Sequence, residues 1–178
     1  MRFLTAALLA VCLAPCAVLA EEDGVPLGVT YGVFRPLSSS TKSNFGKSWN
    51  RVGIGRVDTG VPSEWKPTFG IISLNADGPG SATLFGLNWG LIRALSPGAS
   101  SVRPYAGVHA GPVYADVSSS ALGVDTTTVA LNGGLSLGLV LGTAVFVEAR
   151  YDAFTKVGGV DFSGLSWEAG VRLFNVRF

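Results

Sequence analysis

The sequence predicts an all-β chain, an eight-stranded antiparallel up-and-down transmembrane β-barrel. Three observations predict it. Apolar residues alternate with small or polar ones over most of the chain, the period of a strand with two different faces. The segments between the alternating runs are turn-rich and too short for the crossovers that parallel strands need. Charged residues make up only 14% of the 178, against about 25% in a typical soluble domain. Mean hydropathy is accordingly high, at +0.42.

The N-terminus reads as an export signal. Arg2 is followed by an uncharged apolar run from Phe3 to Leu13, then Pro15 and small residues ending at Ala20, before Glu21, Glu22 and Asp23. That is the order of a cleaved secretory signal. A retained membrane anchor is the competing reading, and Pro15 with the acidic start after Ala20 argues against it. Acylation of Cys16 is disfavoured by Pro15 immediately before it. The expected organisation is a signal peptide over 1–20, a short lead over 21–26 and the barrel over 27–178. Cleavage takes away Arg2 and both cysteines, leaving 12 basic against 12 acidic side chains. A disulfide-stapled scaffold and a basic nucleic-acid binder are therefore excluded. One histidine and no cysteine cannot build a multi-ligand metal centre, and no cofactor is expected.

Six strands follow from clear alternation. Leu27, Val29, Tyr31 and Val33 oppose Gly28, Thr30 and Gly32. Thr83, Phe85, Leu87, Trp89 and Leu91 oppose Leu84, Gly86, Asn88 and Gly90. Ala106, Val108 and Ala110 oppose Tyr105, Gly107, His109 and Gly111. Val129, Leu131, Leu135, Leu137 and Leu139 oppose Ala130, Asn132, Gly134, Ser136 and Gly138. Val145, Val147, Ala149 and Tyr151 oppose Phe146, Glu148, Arg150 and Asp152. Leu165, Trp167, Ala169, Val171 and Leu173 oppose Ser166, Glu168, Gly170 and Arg172.

Two further strands are less regular. Around 49–58, Val52 and Ile54 oppose Arg51, Gly53 and Gly55. Around 67–76, Phe69 and Ile71 sit on one face but Ile72 and Leu74 on the other, which suggests a bulge or a different register. Phe174, Val176 and Phe178 are out of phase with Leu165 to Leu173, so the pattern flips near Leu173 or the tail leaves the sheet. The segments from Ser38 to Ser48 and from Asp116 to Asp125 read as loops, and Leu141-Gly142-Thr143 as a tight hairpin.

Face chemistry chooses the solvent. The less apolar face is mostly Gly, Ser, Asn and Thr, suited to a cramped interior and poorly suited to a hydrated exterior. The other face carries Tyr31, Trp89, Tyr151 and Trp167, rings suited to lipid. Glu148, Arg150, Glu168 and Arg172 fall on the polar face, where a lumen lets them pair.

At this point the chain resembles the small outer-membrane β-barrel proteins, the group that includes the outer-membrane protein A transmembrane domain. The carriers are the export signal, the eight alternating runs, Arg103-Pro104-Tyr105-Ala106-Gly107-Val108-His109-Ala110-Gly111, Val147-Glu148-Ala149-Arg150-Tyr151 and the terminal Phe178. These motifs are loose, cover about 27–178 and mark architecture more than activity. The resemblance implies an outer-membrane location, a monomer, and Phe174, Val176 and Phe178 as the signal read by the barrel-assembly machinery. Arg172 stands where a further apolar residue is typical. Cell-wall tethering is not implied.

The expected function is structural or interactive, in envelope integrity or adhesion, with a porin-like fold but a lumen plugged by ion pairs. The expected lumen network is Arg103, His109, Glu148, Arg150, Glu168 and Arg172. In the first long loop, Lys42, Phe45, Lys47 and Trp49 are expected to point outward, toward lipopolysaccharide phosphates or a partner. Two alternatives stand beside this reading: a lipid-modifying enzyme using His109, and a soluble lipocalin-like barrel with an apolar interior. His109 has no serine two residues on, and no catalytic residue is assigned.

Overall fold

The computed structural model describes residues 25–56, 63–76, 78–96 and 101–176. In chain order the strands are β1 (Val25–Pro36), β2 (Trp49–Arg56), β3 (Lys66–Asn75), β4 (Ser81–Ala94), β5 (Val102–Ser119), β6 (Val124–Leu141), β7 (Val145–Phe154) and β8 (Gly164–Val176). Each pairs antiparallel with the next, and β8 returns to β1, closing the barrel. The expected signal peptide over 1–20 and Phe178 lie outside the described residues.

Four connections, β1–β2, β3–β4, β5–β6 and β7–β8, gather at what we term the loop end. The other three share the terminal end with both ends of the sheet. There, Gly142 adopts a positive φ of 67° in the short β6–β7 turn, a conformation that favours glycine.

The faces divide as the sequence predicts. Tyr31 and Trp167 are 61% and 51% exposed on the outside, while Arg51 and Asp152 are 0% exposed inside. The lipocalin-like alternative, with charges outside and an apolar interior, is therefore corrected: the charges lie within.

The expected bulge in β3 is absent. Its register is continuous with both β2 and β4. Ile72 and Leu74 face inward and Phe69 and Ile71 outward, because the lumen is apolar at that height. The flip near Leu173 is found. Leu27 pairs with Phe174 and Gly28 with Arg172, leaving Leu173 as the extra residue, so Leu173 and Phe174 are both exposed.

β5 and β6 run past the expected loop. Each has 18 residues, because Val113, Ala115 and Val117 keep alternating inward against Tyr114, Asp116 and Ser118. A short 3-10 turn, Ser120–Leu122, and Gly123 at φ 63° reverse the chain. The β1–β2 connection, read as an open loop, contains a helix, α1 (Ser39–Phe45). The Ser38 side chain accepts a hydrogen bond from the Thr41 amide at its first turn. A helix of 7 residues is marginal alone. Tertiary contacts hold this one: the buried Thr41 hydroxyl donates to the Asp161 carbonyl at 2.6 Å, and Phe45 enters the core.

Candidate functional site in the lumen

The barrel interior is built in two layers. Toward the loop end, Phe34 of β1, Phe45 of α1, Trp49 of β2, Phe154 of β7 and Phe162 of the β7–β8 connection pack together. Ring centroids are 5.5 Å apart for Phe34–Trp49, 5.4 Å for Phe45–Phe162 and 5.7 Å for Trp49–Phe162. The Trp49 indole donates to the Gly46 carbonyl at 3.0 Å, satisfying its one polar atom. Leu74, Leu84, Val113 and Val117 complete the wall. Phe45 and Trp49 therefore do not point outward as expected. Burying two large rings against an apolar mouth outweighs leaving them in water. Lys47 remains exposed and Lys42 is half-buried.

The second layer is ionic. Arg51 on β2 reaches across the lumen to Asp152 on β7, Nη1 to Oδ2 at 2.9 Å. Its Nε lies 3.0 Å from Glu168 Oε1 on β8, at an angle too oblique for a hydrogen bond. His109 on β5 shares a 2.8 Å hydrogen bond with the other Asp152 oxygen. Arg150 Nη1 donates to Glu148 Oε1 at 3.3 Å, and its Nε stands 3.5 Å from Glu168. Tyr105 is buried in the same layer, its ring against Gly138, which lies opposite Glu148.

Backbone register explains the crowding. Glu148 and Glu168 are direct cross-strand partners, an unfavourable like-charge pair, and Arg150 lies between them in charge. Glycine makes room for the long side chains. A Cβ at Gly138 would strike the Tyr105 ring, and one at Gly134 the His109 imidazole. Beside the belt lies a cavity of about 120 Å³ whose lining includes Asn88, His109, Ser136, Glu148, Arg150 and Glu168. Asn88 is buried there, and neither of its amide atoms has a partner among the described residues. A space of this size has room for water.

Of the expected network, the structure brings together His109, Glu148, Arg150 and Glu168. It does not bring in Arg103 or Arg172, which lie toward the terminal end. Arg103 donates to the Gly142 carbonyl at 3.1 Å, and Arg172 to Asn175 Oδ1 at 2.6 Å. The side-chain bonds described for both lie at that end. The residues missed are Arg51, Asp152 and Tyr105. Arg51 and Asp152 were already on the glycine-rich and charged faces of their strands, so the signal existed. Pairing across a barrel is not a local pattern.

The same geometry bears on the enzyme alternative. The His109 side chain is 7% exposed, and its hydrogen-bond partner among the described residues is a carboxylate, with no hydroxyl joined to it. Phe174 is exposed on the outer face, and Val176 pairs with Val25 at the end of β8.

The sequence matches no protein-family model. It matches no curated protein either. Solved structures do share the fold. The N-terminal β-barrel domain of Pseudomonas aeruginosa OprF is similar, at TM-score 0.55 and 12% identity, over 84% of this chain and 99% of that one. The Yersinia pestis outer membrane protein Ail, solved in a phospholipid bilayer nanodisc, is similar at TM-score 0.50 and 12% identity, over 84% and 99% of the two chains. The chain thus has the closed eight-stranded barrel fold of small outer-membrane proteins.

Proposed function

We propose that the chain is exported by a signal cleaved after Ala20, inserted into the outer membrane by the barrel-assembly machinery, and serves there as a monomeric structural or interaction barrel. The observation that carries this reading is the inverted polarity. Leu135, Leu137, Tyr151, Leu165 and Trp167 are exposed on the outside, while Arg51, Asp152 and Glu168 are buried inside. Water would reward the opposite arrangement; lipid rewards this one. The length also fits. The 10 residues of β7, tilted by about 40°, cover an apolar band of about 25 Å.

An eight-stranded barrel is filled by its own side chains. The aromatic mouth and the ionic belt fill this one, so the reading includes a plugged lumen without a wide channel. An even strand count puts both termini on one side; with that side in the periplasm, the loop end lies outside, facing lipopolysaccharide. No chemistry on lipid is assigned to His109.

Membrane fractionation with heated and unheated gels tests the proposal. A detergent-requiring species whose mobility changes on boiling is expected. A species that stays soluble without detergent and shows no heat shift would overturn it. Unchanged lipid A in cells carrying His109→Ala is the matching expectation for the absence of an enzymatic role.

A further inference from the structure

The barrel is closed along most of its height, but one strand outruns its neighbour. β6 pairs with β7 only from Asn132 opposite Phe154 down to Leu141 opposite Val145. Above Leu131, Val124 to Ala130 pair with β5 alone. The bond pattern says which groups are left. Thr155 donates its amide to the Leu131 carbonyl at 2.9 Å, and its hydroxyl accepts from the Leu131 amide at 3.0 Å. Leu131 therefore faces the β7 side, and with a period of two so do Val129, Thr127 and Asp125. The β7–β8 connection does not close that edge. Its backbone bonds run between Val157 and Val160, and Gly158 sits against the side chains of Val124 and Thr126 on the inner face.

We propose that this edge, Asp125 to Val129, is a docking strip for an extended polypeptide segment of another protein, added as a strand. Unpaired strand amides and carbonyls at regular spacing are the template such addition uses. The features that usually blunt an edge are missing, since Asp125-Thr126-Thr127-Thr128-Val129 holds no lysine, no proline and no bulge. Val129 and Leu131 are 66% and 60% exposed beside it, giving an added strand apolar side chains to cover. Asp125 is exposed at one end, so a segment with a basic residue at the matching end fits best. A second copy pairing antiparallel through the same edge would have to sit inverted, in an opposing membrane. A segment of a different protein carries no such demand.

The inference rests on the proposed function only for placing this edge outside the membrane. The test uses the mature chain folded in detergent micelles, with a lysine-terminated peptide of alternating threonine and valine as the probe. Backbone amide exchange is read at Asp125, Thr127 and Val129. Saturating peptide should slow exchange at these amides on the order of tenfold. Thr127→Pro removes an amide that faces the open side, so the heat shift should survive while peptide protection at Asp125 and Val129 is lost. Val129→Lys should weaken the protection with the amide intact. Unchanged exchange at saturating peptide, or equal protection in Thr127→Pro, overturns the proposal while a retained heat shift leaves the membrane reading standing. Protection that grows with protein concentration and needs no peptide assigns the edge to a second copy, and also overturns it.

Discussion

The two layers of the lumen solve one problem in opposite ways. At the loop end, Phe34, Phe45, Trp49, Phe154 and Phe162 fill the barrel as a soluble core is filled, with connections folded inward to supply rings. Half-way down, Arg51, His109, Glu148, Arg150, Asp152 and Glu168 fill it with charge. An apolar layer tolerates a lost contact by partial collapse. A charged layer does not, since each group is buried only on condition that its partner stays. The difference predicts which substitutions break the fold and which only loosen it.

Arg51→Leu should have the largest effect. It strands Asp152 and Glu168, both buried, and the expected loss is about 3–5 kcal/mol. The urea midpoint of the micelle-folded protein measures it. Phe162→Ala should come next, at about 3 kcal/mol for a cavity in the aromatic mouth. Its ring touches both Phe45 and Trp49, so amides of α1 should exchange faster while those of β7 near the belt stay protected. Equal deprotection of both layers would show that they unfold as one unit.

Glu148→Gln sharpens the contrast from the other side. It removes the repulsion from Glu168 directly opposite while keeping an acceptor for Arg150. The change should stay within about 1 kcal/mol of the parent. A loss as large as that of Arg51→Leu would mean that the belt depends on charge count more than on particular partners.

The smallest effect concerns the loop end and pH. Asp161, in the β7–β8 connection, accepts the Ser163 amide at 2.9 Å. That backbone bond, with a second from the Ser163 side chain, holds its carboxyl below the ordinary range. A depressed folded-state value contributes stability above the ordinary carboxylate range and loses it as pH falls through the folded value. Acidification should therefore lower the protection of the Ser163 amide relative to its intrinsic exchange rate at the same pH, and Asp161→Asn should abolish that change in protection.

Much of the fold was legible because a strand repeats every two residues and the lipid-facing side had to be apolar. Tyr31, Leu135, Trp167 and their neighbours declared it. The apolar mouth was less legible, since Ile72 and Leu74 made β3 apolar on both faces and mimicked a bulge. Phe45 and Trp49 looked like loop residues free to bind because nothing local says that a loop folds back into its own barrel. The ionic belt was half legible. Glu148, Arg150 and Glu168 share a hairpin, but Arg51 meets Asp152 across 101 positions of sequence, a distance that no periodicity encodes.

The central claim is that the outer face meets lipid while both layers stay within. Single-tryptophan proteins retaining either Trp167 or Trp49, folded into vesicles with acyl-brominated lipids, test it directly. Trp167 fluorescence should be strongly quenched, while Trp49, sealed in the mouth at 1% exposure, should be nearly unaffected. Quenching of Trp49 with Trp167 spared, or of neither, would contradict the account.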